Sequence, residues 1–190
     1  MKKDDIDEKM MHNITVNYAR KGSLRLITIH EAAFADKSKM RNLLELYKYD
    51  FSEFDPEDDV NENGLYEYRY LDHYWTEDGR YPFLLRVDGK LAGLALIRRH
   101  HHPGHESAYE MAEFFVLKKY RRTGMGRVAA TELFDRFPGT WKVAVMESNR
   151  PAKLFWQKII AQYAQSNYRE TREEDWEGPV FIFSSGTARE

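Results

Sequence analysis

Between Met111 and Phe137 the hydrophobic period changes from two residues to 3.6, with glycines at the change. Met111 to Leu117 is an apolar run of strand length. From Gly126 onward, Val128, Ala129, Leu133, Phe134 and Phe137 fall on one side of a helix that Pro138-Gly139 ends. A strand feeding a helix must be followed by a crossover, so the next apolar stretch, Trp141 to Met146, is expected to pair parallel to the first strand. Any fold for this chain has to contain that β-α-β unit, with Gly124 and Gly126 in its turn.

The remaining elements build around it. Residues 1–23 read as a flexible lead, and 24–190 as a single domain whose first strand holds Leu24, Leu26, Ile27 and Ile29. Asp36 is placed to cap a helix carrying Met40, Leu43, Leu44 and Tyr47 on one face, which Asp55-Pro56 stops. Leu65, Tyr68, Leu71, His73 and Trp75 suggest a second helix, ended at Asp78-Gly79. In YPFLLRVDGKLAGLALIRR, Asp88-Gly89 joins two apolar strands into a hairpin. Asn149 and Pro151 open a further helix with Ala152, Phe155, Trp156, Ile159 and Ile160 inward. Strands near Tyr163 to Tyr168 and Val180 to Phe183 then close the sheet. The class is α+β, around a mixed sheet.

Composition removes several kinds of function. In 190 residues with 42% apolar and 32% charged side chains and a net charge of -2, a soluble globular protein is expected. The absence of cysteine excludes disulfides, a thiol nucleophile, thiolate zinc sites and iron–sulfur clusters. The opening MKKDDIDEKMMHN has no signal-peptide core, and no run approaches the ~20 apolar residues of a membrane span, so the chain reads as cytoplasmic with no membrane partner. Near-zero net charge argues against nucleic acid as a partner.

Local charge is uneven. From Tyr49 to Glu67, Asp50, Glu53, Asp55, Glu57, Asp58, Asp59, Glu62 and Glu67 stand without Lys or Arg among Phe51, Phe54 and Tyr66, a composition that attracts a cation. From Lys118 to Arg127 the charges are Lys118, Lys119, Arg121, Arg122 and Arg127, with no acid. There the glycines let an anion approach the backbone N–H groups of a helix start, whose dipole is worth ~0.5 of a positive charge. A P-loop would need Lys and then Ser or Thr after Gly126, where Arg127 and Val128 stand. A dinucleotide fingerprint is met by Gly124, Gly126 and Ala129, with Glu147 downstream, but KKYRRT separates the strand from its first glycine and too few strands follow for a doubly wound sheet.

The string R-x-x-G-x-G formed by Arg121, Gly124 and Gly126 resembles the acyl-CoA pyrophosphate motif of the GNAT superfamily of N-acetyltransferases. Asn149, Ala152, Phe155 and Trp156 in SNRPAKLFWQKII resemble that family's N-x-x-A-x-x-L-Y helix. The resemblance covers about Leu24 to Phe183. It implies a mostly antiparallel central sheet flanked by helices, with parallel strands splayed apart at an acyl-CoA cleft. It further implies acetyl-CoA as cosubstrate, its pyrophosphate on the backbone from Arg122 through Gly124, Met125 and Gly126 to Arg127. Phe115 and Val116 would meet the pantetheine arm, Asn149 would hydrogen-bond it, and an N–H near Val116 would stabilise the tetrahedral intermediate. Without the family pattern Asn149 is equally a helix cap.

An amine acceptor must lose a proton before it attacks a thioester. Glu113 and Glu110 lie on the strand where members of that family carry a glutamate base, and Glu113 is preferred; either also fits a plain strand position. The family's acidic tyrosine is replaced by Trp156, which cannot donate a proton as an acid and equally reads as a core aromatic. Either Tyr163 substitutes for it or the thiolate leaves unaided. His100, His101, His102 and His105 lack metal-ligand spacing and read as a solvated turn, so no metal is expected. The expected activity is direct acetyl transfer from acetyl-CoA to a small cationic amine, and a non-catalytic acyl-CoA-binding module is the alternative. Homodimers are frequent in that family, and the apolar last strands permit one.

Overall fold

The computed structural model describes residues 13–20, 22–100 and 107–186. Among these, strands β1 (Ile14–Arg20), β2 (Ser23–Glu31), β3 (Arg80–Val87), β4 (Lys90–His100), β5 (Ala108–Val116), β6 (Gly139–Ala144), β7 (Tyr168–Glu173) and β8 (Trp176–Ser185) form one sheet in the order β1-β2-β3-β4-β5-β6-β8-β7. All pairings are antiparallel except β5 with β6, the pair joined by the glycine-bearing crossover. The helices are α1 (Lys37–Phe51), the single turn α2 (His73–Thr76), α3 (Met125–Arg136) and α4 (Arg150–Tyr163).

Alternation along the central strands supplies two cores. Phe83, Leu85, Ala95, Ile97 and Met111 pack with Leu133 and Phe134 of α3 and Ile159 and Ile160 of α4. Leu84, Leu94, Leu96 and Phe115, on the other face, pack with Met40, Leu43 and Leu44 of α1 and with Leu71 and Tyr74. A strand covered on both sides must be apolar at every position, which is why β3 and β4 read as nearly continuous apolar runs.

The flexible lead expected over residues 1–23 is contradicted where the structure describes it, since Ile14–Arg20 is a strand and Ser23 begins another. Ile14 to Arg20 pair along their whole length with β2, from Ile14 opposite Ile29 to Arg20 opposite Ser23, because ITVNYA alternates and buries Tyr18. Residues 1–12 and the histidine-rich stretch 101–106, which includes His101, His102 and His105, lie outside the described residues. The helix expected through Leu65 to Trp75 is reduced to α2. Glu45 of α1 accepts the backbone N–H groups of Tyr66 (2.8 Å) and Glu67 (3.1 Å), and the Asn61 side chain accepts those of Asn63 (2.9 Å) and Leu65 (3.1 Å). These side-chain acceptors replace the carbonyls a helix would have used. Asp36 precedes α1 without capping it, its carboxylate being paired with Lys39. Tyr163 ends α4 instead of opening a strand; the chain reverses through Gln165 and Ser166, both at positive φ, before β7 begins.

A register shift on β5 decides which way its glutamates point. Leu96 faces Glu113 and Ile97 faces Met111, so Ala112 is the extra residue of a bulge. Beyond it, β5 runs tight against β4: a Cβ on Gly93 would come within 2.0 Å of the Phe115 carbonyl oxygen. Gly93→Ala is therefore expected to cost about 2 kcal/mol or more and to lower Tm by roughly 5 °C, measurable by thermal denaturation.

Candidate active site

The parallel pair parts almost at once. β5 and β6 share hydrogen-bonded register only from Ala108 opposite Thr140 to Glu110 opposite Lys142. β5 then continues to Val116 beside β4 alone, and β6 continues beside β8 alone. The strand edge at Phe115 and Val116 therefore borders a gap, where backbone groups need partners from elsewhere.

The glycine turn stands at the end of that gap. Gly124 precedes α3 at φ 91, a left-handed conformation, and no atom lies within 4 Å of where its Cβ would be. Gly124 gives the first turn of α3, at Met125, Gly126 and Arg127, no side-chain cap; its N–H groups lack carbonyl partners within the helix, and the Met125 N–H meets Thr123 Oγ1 at a long 3.4 Å. Arg122 and Arg127 are exposed on the same turn, Arg122 itself at φ 58. Gly126 lies against Phe155 of α4 and Val116: a Cβ there would sit 3.2 Å from the Phe155 ring. Open backbone, positive dipole and two exposed cations are the features an anion site requires.

Arg121 does a different job from its two neighbours. Its Nε donates to the Val116 carbonyl oxygen at 2.7 Å, its terminal nitrogen pairs with Asp50 of α1, and its guanidinium lies over the Phe115 ring at 5.6 Å. Lys118 joins the same carboxylate at 2.8 Å. Burial alone would raise the Asp50 pKa, but its hydrogen bonds to Lys118 and Arg121 hold it below the usual carboxylate value. Arg121 thus ties α1 to the turn and is not aimed outward at a phosphate.

At the start of α4, the Asn149 Oδ1 accepts the Ala152 N–H at 3.1 Å, so Asn149 is a helix cap beside the gap. Ser148 Oγ donates to the Phe54 carbonyl at 3.1 Å, drawing the acidic segment after α1 across to the α4 side. Trp156 is 6% exposed and packs edge-on against Phe114 (5.1 Å) and Phe155 (5.0 Å), as a core aromatic would. Tyr163 is not brought to the gap. Its hydroxyl donates to Asp135 at the far end of α3 (2.6 Å), eleven residues or ~16 Å along the helix from Gly124. Its expected role as acid at the thiolate does not fit that position.

The two candidate bases are separated by their environments. The bulge at Ala112 brings Glu110 and Glu113 to the α1 face of the sheet together. Glu110, 7% exposed, accepts two hydrogen bonds from Arg98 (2.6 and 3.0 Å) and pairs with His100. Burial pushes its pKa up, but Arg98 and then His100 outweigh that and hold it below the usual value. Among the described residues, half-buried Glu113 is ion-paired with no cation. Tyr68 donates to its Oε1 at 2.9 Å, Tyr47 of α1 also hydrogen-bonds it, and burial raises its pKa in spite of both. A carboxylate kept ionised by an arginine is a poor proton acceptor, whereas one raised by burial is a better one.

Sequence reading missed Tyr47 and Tyr68 as partners of Glu113, having placed them only among the periodic residues of two expected helices. It also missed Asp50 as the anchor of Arg121. Neither pairing has a periodic signature, since each joins positions far apart along the chain.

The Glu110–Arg98 pair has a stability consequence. The folded-state pKa of Glu110 lies below its ordinary value of 4.5, so its contribution is fully present above that pH and is lost as pH falls through the depressed pKa. Glu110→Gln is expected to cost about 2 kcal/mol at neutral pH, Arg98 being partly exposed. The Tm gap between variant and parent should narrow below about pH 4 in denaturation scans.

The sequence profile of the acetyltransferase (GNAT) family matches residues 40–160. No curated protein matches the sequence. Among solved structures, an acetyltransferase from Thermus thermophilus aligns with TM-score 0.61 at 14% identity, over 83% of this chain and 96% of its own. The ribosomal-protein-S18-alanine N-acetyltransferase of Escherichia coli aligns with TM-score 0.54 at 16% identity, over 86% and 97%. An aminoglycoside acetyltransferase from an uncultured soil metagenomic sample, in complex with sisomicin, aligns with TM-score 0.52 at 16% identity, over 70% and 86%. At these identities the likeness is one of fold.

Proposed function

The chain belongs to the GNAT acetyltransferase family, and on that basis we propose that it transfers the acetyl group of acetyl-CoA directly to the primary amine of a small cationic acceptor, with Glu113 as the base. The observation that carries this reading is the position of Glu113: half-buried, raised in pKa, and on the strand whose end borders the gap.

The residues fit acetyl-CoA as cosubstrate. The turn at Gly124 to Arg127 offers the first-turn N–H groups of α3, open space at Gly124 and the charges of Arg122 and Arg127 to a pyrophosphate. The β5 edge at Phe115 and Val116 orients the pantetheine arm as an added strand would be oriented. Phe155, Phe114 and Val116 wall the gap with apolar surface. The Asn149 amide stands at its mouth with Oδ1 already used in the cap. When bound, acetyl-CoA supplies an activated acyl carbon; the protein's part is to hold it, exclude water and take up the amine proton.

Charge supports the acceptor class. Glu53, Glu57, Glu62 and Glu67 are exposed on the segment that leads to Tyr68, whereas Asp50 and Asp58 are held in ion pairs, Asp58 with Lys48 at 2.6 Å. Tyr70, 57% exposed, meets Tyr68 edge-on at 6.2 Å. Acid plus open aromatic rings attract an ammonium group.

Titration calorimetry with acetyl-CoA should give binding to the parent protein and at least a tenfold loss in Gly124→Glu, which puts both bulk and negative charge into the turn. Glu113→Gln should keep the affinity within twofold and lower kcat by ~10²-fold or more with an amine acceptor. In the parent, the rate should rise with pH through a midpoint above 4.5, since Glu113 must be ionised and its pKa is raised. The groups facing it are Tyr47 and Lys48 of α1, Tyr68, Tyr74 of α2 and Arg98 of β4. Binding without release of CoA thiol across an amine panel would favour the acyl-CoA-binding module, a reading supported by tryptophan at 156.

A further inference from the structure

The Glu113 carboxylate does not stand open to the side from which an acceptor would come. Oε1 accepts the Tyr68 hydroxyl at 2.9 Å, and Tyr47, packed against Phe51 (5.5 Å) and Phe115 (5.7 Å), closes the side toward α1. Tyr68 belongs to the segment between α1 and α2, and its ring meets the exposed Tyr70. The phenol of Tyr68 therefore links the half-buried carboxylate to a segment whose Glu67 and Tyr70 are exposed. Among the described residues it is the group of this cluster that touches both the base and the exposed Tyr70 ring.

Resting on the transferase reading above, we propose that Tyr68 is a catalytic proton relay: the acceptor nitrogen gives its proton to Tyr68 Oη while the phenolic proton passes to Glu113 Oε1. The balance is simple. An ammonium and a carboxylate become a neutral amine and a carboxylic acid, and Tyr68 ends as the phenol it began as. The amine lone pair then forms the C–N bond to the acetyl carbon as the C–S bond breaks with its pair on sulfur, and the second proton on nitrogen passes to that thiolate, giving a neutral amide and CoA thiol. Glu113 later returns its proton to solvent by the reverse route.

Two features of the site suit a relay and disfavour Tyr68 as a base in its own right. Burial and the adjacent Glu113 charge push its hydroxyl pKa far above that of a free phenol, so a standing phenolate is not formed at neutral pH. It can pass a proton only by releasing its own in the same step, and the carboxylate at 2.9 Å is placed to receive it. The neighbouring Tyr74 is raised to about 12 by the same causes, burial first, and its ring is covered by Arg80 at 5.6 Å. These rings keep the cluster dry enough for Glu113 to remain a raised, proton-accepting carboxyl.

The test is steady-state kinetics of CoA release with a turned-over amine, comparing the parent with Tyr68→Phe, Glu113→Gln and Tyr66→Phe. Tyr66 lies two residues away and its hydroxyl goes to Ser52 (3.2 Å), so its variant controls for loss of a nearby phenol. Tyr68→Phe is expected to keep the affinity for acetyl-CoA and to lose at least tenfold in kcat at every pH, plateau included. The solvent deuterium effect should change from a curved, two-proton inventory in the parent to a linear one in Tyr68→Phe, and Tyr66→Phe should match the parent. If Tyr68→Phe loses rate only at low pH and recovers the parental plateau, Tyr68 merely tunes Glu113 and the relay is wrong. Parental rates in Tyr68→Phe alongside loss in Glu113→Gln likewise overturn the relay and leave the transferase reading intact. No thiol release by the parent protein overturns both.

Discussion

The structure depends on two parallel strands that meet and then part. β5 and β6 are held together over Ala108 to Glu110, and past that point each is hydrogen-bonded only to its other neighbour. Backbone polar groups left without partners are costly in an apolar setting, so a sheet opened in this way is stable only if water or a ligand meets its edge. The glycine turn, the α4 cap at Asn149 and the Phe54–Ser148 bridge all gather round that opening. The opening also explains why residues distant in sequence share one site.

Arg121 shows how a single side chain couples the two halves of the site. By bonding the Val116 carbonyl, pairing with Asp50 and lying over Phe115, it joins the last residue of β5, the end of α1 and the start of the glycine turn. Lysine could supply the charge but not the planar fork that makes contacts in several directions at once. The motif position next to the phosphate turn is thus used to shape the turn, while Arg122 and Arg127 remain outward.

The bulge at Ala112 sorts the carboxylates. Without the extra residue, Glu110 and Glu113 would emerge on opposite faces of the sheet. With it, both face α1, one neutralised by Arg98 and His100, the other enclosed by tyrosines. Similar groups three residues apart are driven to opposite pKa shifts because burial raises both, and the Arg98 guanidinium with His100 outweighs it at Glu110 whereas the phenol hydrogen bonds do not at Glu113.

Local period and local turn chemistry write one part of this protein directly into its sequence. The β3–β4 hairpin at Asp88-Gly89, the strand–glycine–helix unit from Met111 to Phe137, the parallel return at Trp141 and the Asn149–Pro151 helix start all follow from residues within a few positions of one another. The early strand Ile14–Arg20 was read instead as part of a flexible lead, because short alternation beside a charged terminus is a weak signal. Contacts between distant segments set the rest. They keep residues 61–72 out of a helix, since Glu45 binds N–H groups there from another element. They also point Tyr163 at Asp135, turn Arg121 inward to Asp50, and bring Glu113 to Tyr68 from 45 positions away. The reason is physical: period and capping act over one or two turns of chain, whereas burial, desolvation and hydrogen-bond partners depend on which segments the folded sheet brings together.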